Sequence, residues 1–300
     1  MALPPTFPEL AALDLFHSVV QLGSLSRAAA EHQITQPSAS SRIRHLERQL
    51  SMQLLDRSPT GSRPTPEGAV VAGWVKSLLT SADELRAGVD ALNAERTGHL
   101  RLAASFTIAE YLLPQLLEKF LRHRSEDSVS LDVINSAAVI DRLGKGTVDL
   151  GFIESPIDTV MNEQTIATDE LIVVTSPQHP WSKRSSIPLE AILTTPLVLR
   201  EAGSGTRETF AHHLEEMGFD APMAALELGS TSAVRAAVTT GVHPTVISRL
   251  AVDADLAAGT LVEIRIPGLE ITRRLRAVWP KRAPLPLLAE ALLHRLPDLD

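Results

Sequence analysis

The chain has no cysteine among its 300 residues, which excludes disulfide bonds, thiolate metal ligands and thiol-based redox sensing. It also has no run of about eighteen uninterrupted apolar residues, the length that a membrane-spanning helix requires. Its first residues, MALPPTFPEL, lack the positive charge and the apolar stretch of a signal peptide. We therefore expect a cytoplasmic protein with no membrane partner.

Common catalytic motifs are missing as well. The sequence contains no GxSxG, no GxxxxGK and no HExxH. The neighbouring His212 and His213 cannot both face one metal from adjacent helical positions without help from elsewhere. We therefore expect a protein that is not an enzyme and that holds no cofactor and no metal.

Charge is distributed unevenly along the chain. The total is −8, with 44% apolar and 21% charged residues, which is ordinary globular usage. From Arg42 to Arg63, however, five arginines stand against Glu47 and Asp56, a local balance of +3. A basic island in an acidic chain is typical of a localised DNA-binding module.

The stretch Ser24 to Glu47, SLSRAAAEHQITQPSASSRIRHLE, predicts two short helices separated by a break. Thr35 can cap the second helix, and Pro37 suits its first turn because the missing N–H has no partner there anyway. Such a helix-turn-helix places its second helix in a DNA major groove. The outer face of that helix has polar side chains for base edges and phosphates, namely Gln36, Ser38, Ser40, Ser41, Arg42, Arg44 and Arg48. The alternative is a small helical domain with a solvated polar face.

The next residues predict a wing and a long helix. Residues 54–58 read as a strand and residues 59–62 as a tight turn, which places Arg63 near the tip, within reach of DNA. A helix should then run from Glu67 to about Asn93. Its apolar stripe needs a partner, and antiparallel pairing with a second copy would deliver two recognition helices to a palindromic site. The stripe consists of Val70, Val71, Trp74, Leu78, Leu79, Leu85, Val89 and Leu92. The alternative is an ordinary helix packed on its own domain.

Beyond Gly98 strands and helices alternate, which predicts parallel βαβ units. Among these elements we expect one helix from Ile108 to Arg122, and a strand opening at Leu171. The pattern divides into two α/β lobes. We expect lobe I at about 97–169 and 272–300 and lobe II at about 170–271, with the chain returning near 271–278.

Several strands end at a polar or glycine-rich segment that opens a helix, the position where α/β folds bind ligands. Glycines let backbone N–H groups turn inward, hydroxyls add donors, and helix N-termini are partly positive. Such a site holds an anion without a lysine. We therefore expect a small oxyanion, carboxylate or phosphorylated metabolite at residues that follow strand ends or precede helices. These are Ser105, Thr107, Ser136, Gly203, Ser204, Gly205, Thr206 and Thr231.

The order AAxxxxITQPSxS, IxxLE, LLDR and TPEG resembles the N-terminal domain of the LysR-type transcriptional regulators, and the resemblance covers essentially the whole chain. It differs from the usual pattern at His32, Ala39 and Ser51, where leucine, a larger aliphatic residue and glycine are common. The resemblance implies a winged helix-turn-helix at 1–66, a linker helix and hinge at 67–96, and a periplasmic-binding-protein-like effector domain at 97–300.

By the same resemblance, base reading falls on Gln36, Pro37, Ser40 and Ser41, and effector contacts fall on Thr107, Ser136 and the 204–206 loop. It also implies homodimers and tetramers on an interrupted palindrome of double-stranded DNA, with RNA polymerase as a further contact. The string REAGSGTRE is similar to regulators of sulfur assimilation and of carbon fixation.

Two alternative functions and the role of one histidine stay open from the sequence. An enzyme or a binding protein with the same two-lobed anion-binding fold is the main one, although an enzyme would have no use for residues 9–66. A solute-binding transport protein is disfavoured by the missing signal peptide. His243 stands where the family has a glycine-rich turn, and it is either a loop residue, a pH sensor or an effector contact.

Overall fold

The computed structural model describes residues 7–58, 61–122, 124–156, 161–281 and 285–296. The chain divides into two compact units, Met1–Arg86 and Ala87–Asp300. Residues 59 and 60 of the predicted wing turn lie outside the described residues, and so does the side chain of Leu92 in the predicted stripe.

The N-terminal unit contains three short helices, a two-stranded ribbon and the start of a long helix. These elements are α1 (Leu10–Leu22), α2 (Leu25–Glu31), α3 (Gln36–Leu50), β1 (Leu55–Ser58), β2 (Gly61–Pro64) and α4 (Pro66–Thr97). The predicted winged helix-turn-helix is confirmed. The long helix is longer than the predicted span of Glu67 to Asn93.

Local capping explains where the two central helices begin. Ser24 accepts a hydrogen bond from the Arg27 N–H at 3.3 Å, and Thr35 accepts one from the Ser38 N–H at 3.4 Å. Both residues have extended backbones, as N-cap residues do. The predicted cap at Thr35 and the proline in the first turn of α3 are therefore confirmed.

The wing is tied to the recognition helix by Glu47. Its carboxylate accepts hydrogen bonds from the backbone N–H groups of Leu54 and Leu55, at 2.9 and 3.2 Å. The two wing strands pair antiparallel, with Asp56 opposite Arg63. A side chain of α3 thus fixes the start of the ribbon relative to the helix.

The predicted stripe on α4 divides between two faces. Val71 is buried in the core of the N-terminal unit, as is Val75, which the predicted stripe did not include. Val70, Trp74 and Leu85 are 53, 69 and 71% exposed. The helix therefore packs on its own domain along one face and leaves a second apolar face, which also includes Val89, exposed in the single chain.

The second unit alternates strands and helices. Its strands are β3 (His99–Ala104), β4 (Ser128–Val133), β5 (Leu150–Ile153), β6 (Asn162–Thr175), β7 (Leu197–Arg200), β8 (Ala224–Leu228), β9 (Thr245–Ser248), β10 (Val262–Ile264) and β11 (Ile271–Trp279). Its helices are α5 (Phe106–Tyr111), α6 (Leu113–Leu121), α7 (Ser136–Gly144), α8 (Leu189–Thr194), α9 (Gly205–Glu216), α10 (Thr231–Thr240), α11 (Arg249–Ala258) and α12 (Leu287–Leu293), with a short 3₁₀ helix at Pro180–Lys183.

The strands of the described chain join in the order β4-β3-β5-β11-β6-β9-β7-β8, with β10 added on β6. At one end β3 pairs parallel with β4 and β5, and at the other end β7 pairs parallel with β8 and β9. The long strands β6 and β11 lie between these groups and pair antiparallel. Lobe I is therefore built on β3, β4 and β5, lobe II on β7, β8 and β9, and β6 and β11 connect them.

Each lobe has apolar clusters on both faces of its strands. In lobe I, Leu102 faces one cluster and the adjacent Ala103 faces another. In lobe II, Val173 and Val174 divide in the same way. Alternate residues of a strand point to opposite faces, so strands covered on both sides are apolar throughout. This confirms the predicted α/β fold.

Two predicted elements differ from the structure. The single helix expected from Ile108 to Arg122 is wrong, because the chain breaks at Leu112 between α5 and α6. Pro114 occupies the first turn of α6, where its missing N–H is tolerated, and it could not donate a bond in the interior of a continuous helix. The strand expected to open at Leu171 already begins at Asn162.

A pair of glycines in α4 provides a test of the packing between this helix and the wing. A Cβ atom on Gly68 would lie 2.0 Å from the carbonyl oxygen of Leu54, whereas one on Gly73 would have nothing within 4 Å. We expect Gly68→Ala to lower the free energy of unfolding by about 2 kcal/mol or more. Gly73→Ala should raise it by about 0.5–1 kcal/mol, because alanine is the better helix former.

The measurement is urea unfolding of both variants, followed by circular dichroism at the helix band. Equal shifts for the two substitutions would show that the close approach to Leu54 does not limit the fold.

Candidate functional site

The residues predicted to contact DNA lie on or beside one surface helix. Gln36, Pro37, Ser41, Arg42 and Arg44 are exposed on α3, while Ser38 and Ser40 are partly buried. The opposite face of α3 enters the core through Ala39, Ile43 and Leu46. The structure therefore brings the predicted polar residues together on the accessible side of this helix.

The basic side chains of this surface lie on both α3 and the wing. The Nε atom of Arg44 donates to the Ser40 carbonyl at 3.3 Å, and Arg48 donates to the Arg44 carbonyl at 3.4 Å. Arg63 is exposed on β2. Guanidinium groups held in this manner can reach phosphates on either side of a groove.

In the second unit, the predicted site residues lie where the two lobes meet. Ser105 follows β3, Ser136 begins α7 and Ser204 precedes α9; all three are buried. The N–H of Ala137 in lobe I donates to the Gly203 carbonyl in lobe II at 3.2 Å. The Ser136 hydroxyl accepts from the Glu154 N–H at 3.3 Å.

We refer to this region, from Ser105, Ser136 and Glu154 to residues 200–206 and Thr231, as the lobe junction.

Two hydroxyls of the lobe junction have no hydrogen-bond partner within the protein. The Oγ atoms of Ser105 and Ser204 are buried and unpaired, although both residues stand at the N-cap positions of helices. Buried polar groups are nearly always hydrogen-bonded, and each exception calls for an explanation. A ligand that accepts or donates hydrogen bonds at this point would satisfy them.

The predicted contacts Thr107 and Thr206 are already engaged with a buried arginine. Arg273 on β11 donates to Thr206 Oγ1 at 3.1 Å, to Thr107 Oγ1 at 3.2 Å and to Asp169 at 2.8 Å. Thr206 donates in turn to Glu154 at 3.2 Å. These two hydroxyls therefore join the lobes to the connecting strands in the structure described here.

Thr231, the last predicted contact, binds a second buried arginine. Arg200, at the end of β7, donates to Thr231 Oγ1 at 2.9 Å and to both carboxylate oxygens of Glu201 at 2.8 and 2.9 Å. The Phe106 ring of lobe I lies 4.5 Å from the Arg200 guanidinium carbon, a cation–π distance. Asn135, also in lobe I, donates to Glu201 at 3.3 Å.

Both glycines of the predicted loop are required by its geometry. Gly203 has a φ of +83°, which side chains other than glycine rarely adopt. A Cβ atom on Gly205 would lie 2.5 Å from Glu154 Cγ and 2.7 Å from the Ser155 nitrogen. The glycines therefore allow the start of α9 to approach the end of β5 closely.

The sequence motifs did not point to the charged residues of this region. Arg200, Arg273, Glu154 and Asp169 are all buried. The position of Arg200 in the sequence favours a role in the site, because it is the last residue of an apolar strand immediately before the glycine-rich loop. Arg273 had no such signal, since it occurs in the string TRR, in which its neighbour Arg274 is exposed.

His243, for which several roles were open, lies close to another histidine. The pKa of His179 is lowered, first by burial and then by the charge of His243. His179 also accepts a hydrogen bond through Nδ1 from the Trp181 N–H at 3.2 Å, and Trp181 is buried.

Within the described residues, no three His, Asp or Glu side chains are gathered as a metal site. No helix in the described ranges is both long and apolar enough to cross a membrane.

A winged helix-turn-helix followed by a two-lobed α/β domain is the architecture of a DNA-binding protein that also has a domain for binding a small molecule. Residues 10–69 match the bacterial regulatory helix-turn-helix protein model of the lysR family, and residues 93–299 match the LysR substrate binding domain. The chain therefore belongs to the LysR family of transcriptional regulators, as the sequence motifs predicted.

Relatives cover nearly the whole chain. It is 39% identical over 289 residues to an uncharacterised HTH-type transcriptional regulator of Mycobacterium tuberculosis, with 93% of each chain covered. It is 30% identical over 264 residues to the HTH-type transcriptional regulator CysL of Bacillus subtilis, with 88% of each covered. These names favour a regulator over the alternative enzyme.

Among solved structures, the regulatory domain of Synechocystis CcmR in complex with 2-PG is similar to the second unit. The TM-score is 0.61 and the identity 28%, over 67% of this chain and 96% of that domain. This likeness agrees with an effector-binding domain.

The environment of His179 predicts a pH dependence of stability. Because its pKa is lowered in the folded chain, the unfolded chain binds the proton first as the pH falls below about 6.5. The free energy of unfolding should therefore decrease from pH 7.5 to pH 5.5. His179→Asn should reduce this slope, because asparagine can accept the Trp181 N–H without titrating. The measurement is urea unfolding by tryptophan fluorescence at both pH values, with equal stability at pH 7.5 as the control. An unchanged slope would contradict the assignment.

Proposed function

We propose that this LysR-type regulator binds operator DNA as a homo-oligomer and is switched by a small anion held at the lobe junction. The observation that carries the proposal is the pair of buried, unpaired hydroxyls of Ser105 and Ser204. The guanidinium of Arg200 belongs to the same region, because it lies 4.5 Å from the ring of Phe106, the residue after Ser105. Hydroxyl donors next to a buried cation are suited to an oxyanion, a carboxylate or a phosphorylated metabolite.

Backbone groups add to this preference for an anion. The helices α7 and α9 both begin at the lobe junction, and the N-terminus of each carries partial positive charge. The Ala137 and Ala138 N–H groups of α7 already donate within the protein, so α7 contributes only through this field. The positive φ of Gly203 turns the loop before α9. The similarity to a regulatory domain solved with 2-PG supports a small-molecule effector for the second unit.

The DNA partner is proposed to be an interrupted palindrome in double-stranded DNA. The exposed face of α3 would read base edges through Gln36, Ser40 and Ser41, while Arg42, Arg44 and Arg63 would contact phosphates or the minor groove. A twofold-symmetric protein requires two such half-sites. A cytoplasmic location accompanies this partner.

The oligomer would form through α4. Its exposed apolar face, with Val70, Trp74, Leu85 and Val89, is suited to antiparallel pairing with the same helix of a second copy. Dimers formed in this way, and tetramers of them, would hold several winged helices on one operator. RNA polymerase is a further proposed contact.

Effector binding would change DNA binding through the lobes. A ligand shifts such an equilibrium only by its difference in affinity for the two states, typically about 1–3 kcal/mol. The ligand would bind between lobes that already share hydrogen bonds through Asn135 and Arg273. Its contacts would therefore alter the lobe angle and, in the oligomer, the spacing of the DNA-binding pairs.

The recognition surface can be tested by removing base contacts and phosphate contacts separately. We expect Gln36→Ala with Ser40→Ala to reduce the preference for a selected operator over random DNA by about tenfold or more. Arg63→Ala should instead weaken both affinities and reduce their salt dependence. Both quantities are measured by mobility-shift titration at several salt concentrations.

Light scattering serves as the control, and the oligomer mass should not change. An unaltered operator preference in the double variant would remove α3 as the base-reading element.

The anion site can be tested at two hydroxyls of one loop. Ser204→Ala removes a hydroxyl with no partner, so stability without ligand should change by less than about 0.5 kcal/mol, while oxyanion affinity falls several-fold. Thr206→Val removes hydrogen bonds to Arg273 and Glu154 and should cost about 1–3 kcal/mol even without ligand.

Thermal shifts of the full chain titrated with sulfate, phosphate and 2-PG measure both effects. If Ser204→Ala destabilises the free chain as much as Thr206→Val and leaves ligand shifts unchanged, the site lies elsewhere.

A further inference from the structure

The carboxylate of Glu201 occupies a position suited to a bound anion. It accepts two hydrogen bonds from the guanidinium fork of Arg200 and one from the Asn135 amide of the other lobe. A fork and an amide are also the donors that recognise the oxygens of carboxylate, sulfate or phosphate. The orientation of the Asn135 amide is fixed, because its oxygen accepts the Ala138 N–H at 3.0 Å.

We propose that Glu201 is an internal competitor for the effector, and that Arg200 is the residue to which the effector anion binds once Glu201 is displaced. This inference rests on the proposed function of the lobe junction as an anion site. It adds two residues to that site, and it assigns them opposite effects on affinity.

The burial of the pair favours exchange over simple dissociation. The Arg200 side chain is 4% exposed and that of Glu201 is 23% exposed. An unpaired buried cation is strongly unfavourable, so Arg200 keeps an anionic partner at all times. Glu201 can rotate towards water, because it already lies partly at the surface. An incoming oxyanion can therefore replace it in one step.

The comparison with Arg273 shows why the exchange is assigned to Arg200. Arg273 pairs with Asp169, whose side chain is 1% exposed and also accepts a hydrogen bond from Ser248 at 2.9 Å. That carboxylate lies on the connecting strand β6 and is almost completely buried. Its pair with Arg273 is therefore structural.

The chemistry also defines which anions can compete. An oxyanion with two oxygens in one plane can match the Nε and Nη2 donors that Glu201 now uses. A single-atom anion such as chloride offers one acceptor atom to both N–H groups, so it cannot form the two parallel hydrogen bonds of the fork. We therefore expect sulfate, phosphate and carboxylates to bind, and chloride at equal ionic strength to have little effect.

The test measures sulfate and phosphate binding to the full chain by calorimetry at constant ionic strength. Glu201→Gln keeps the shape but replaces a charged competitor by a neutral one, so the dissociation constant for the oxyanion should fall about tenfold. Glu227→Gln is the matched control. It removes the same charge from the neighbouring pair with Arg207, on β8, and should change the constant less than about twofold.

Two variants of Arg200 complete the design. Arg200→Gln should abolish oxyanion binding. Arg200→Lys keeps the charge without the fork and should lose the preference for sulfate over chloride. Circular dichroism establishes which variants are folded, and Arg200→Lys decides the outcome if Arg200→Gln is not.

The possible results separate this inference from the proposed function. If the unchanged chain binds oxyanions but Glu201→Gln behaves like Glu227→Gln, the competitor role of Glu201 is wrong and the anion site remains. If a folded Arg200 variant binds sulfate as the unchanged chain does, Arg200 is not the receptor. If no variant, Glu201→Gln included, binds any oxyanion, both proposals fail.

Discussion

The buried guanidinium of Arg273 fixes the relation between the two lobes. It extends from the connecting strand β11 to Asp169 on β6, to Thr107 of lobe I and to Thr206 of lobe II. Removing one partner of such a buried ion pair typically costs about 3–5 kcal/mol. Any change in the lobe angle must therefore keep the Arg273–Asp169 pair and exchange only the threonine contacts. On the proposed function, Arg273 would act as a common pivot of the lobes, with the residues proposed to bind the effector arranged around it.

In the N-terminal unit, the two faces of a helix have separate roles. One face of α3 enters the core, and the other presents its polar side chains to solvent. In α4, Val71 and Val75 complete the domain core, whereas Trp74 and Leu85 remain exposed. Substitutions on the exposed faces can therefore change partners without a large change in the stability of the domain.

The sequence predicted much of this organisation, because capping residues and apolar spacing are local signals. Thr35 and Pro37 located α3, and the alternation of strands and helices indicated the α/β lobes. Among the buried charges at the lobe junction, only Arg200 had a local signal, as the last residue of an apolar strand before the glycine-rich loop. Arg273 and Arg274 point to opposite faces of β11, and Arg273 shares the buried face with Ile271 and Leu275. Ser105 and Ser204 were predicted as anion contacts at helix starts, and in the structure both stand at N-cap positions without a capping hydrogen bond.

The contact between Arg200 and the residue that follows it in the chain has a quantitative consequence. A carboxylate attached so closely to its binding partner is present at an effective concentration on the order of millimolar or higher, whatever the composition of the cell. If this exchange occurs, an external anion competes with Glu201 for Arg200. The anion is bound only when its concentration, multiplied by its affinity for Arg200 relative to that of Glu201, exceeds this effective concentration. The Arg200–Glu201 pair would then set the response threshold of the regulator and prevent switching by the constant background of weakly binding anions.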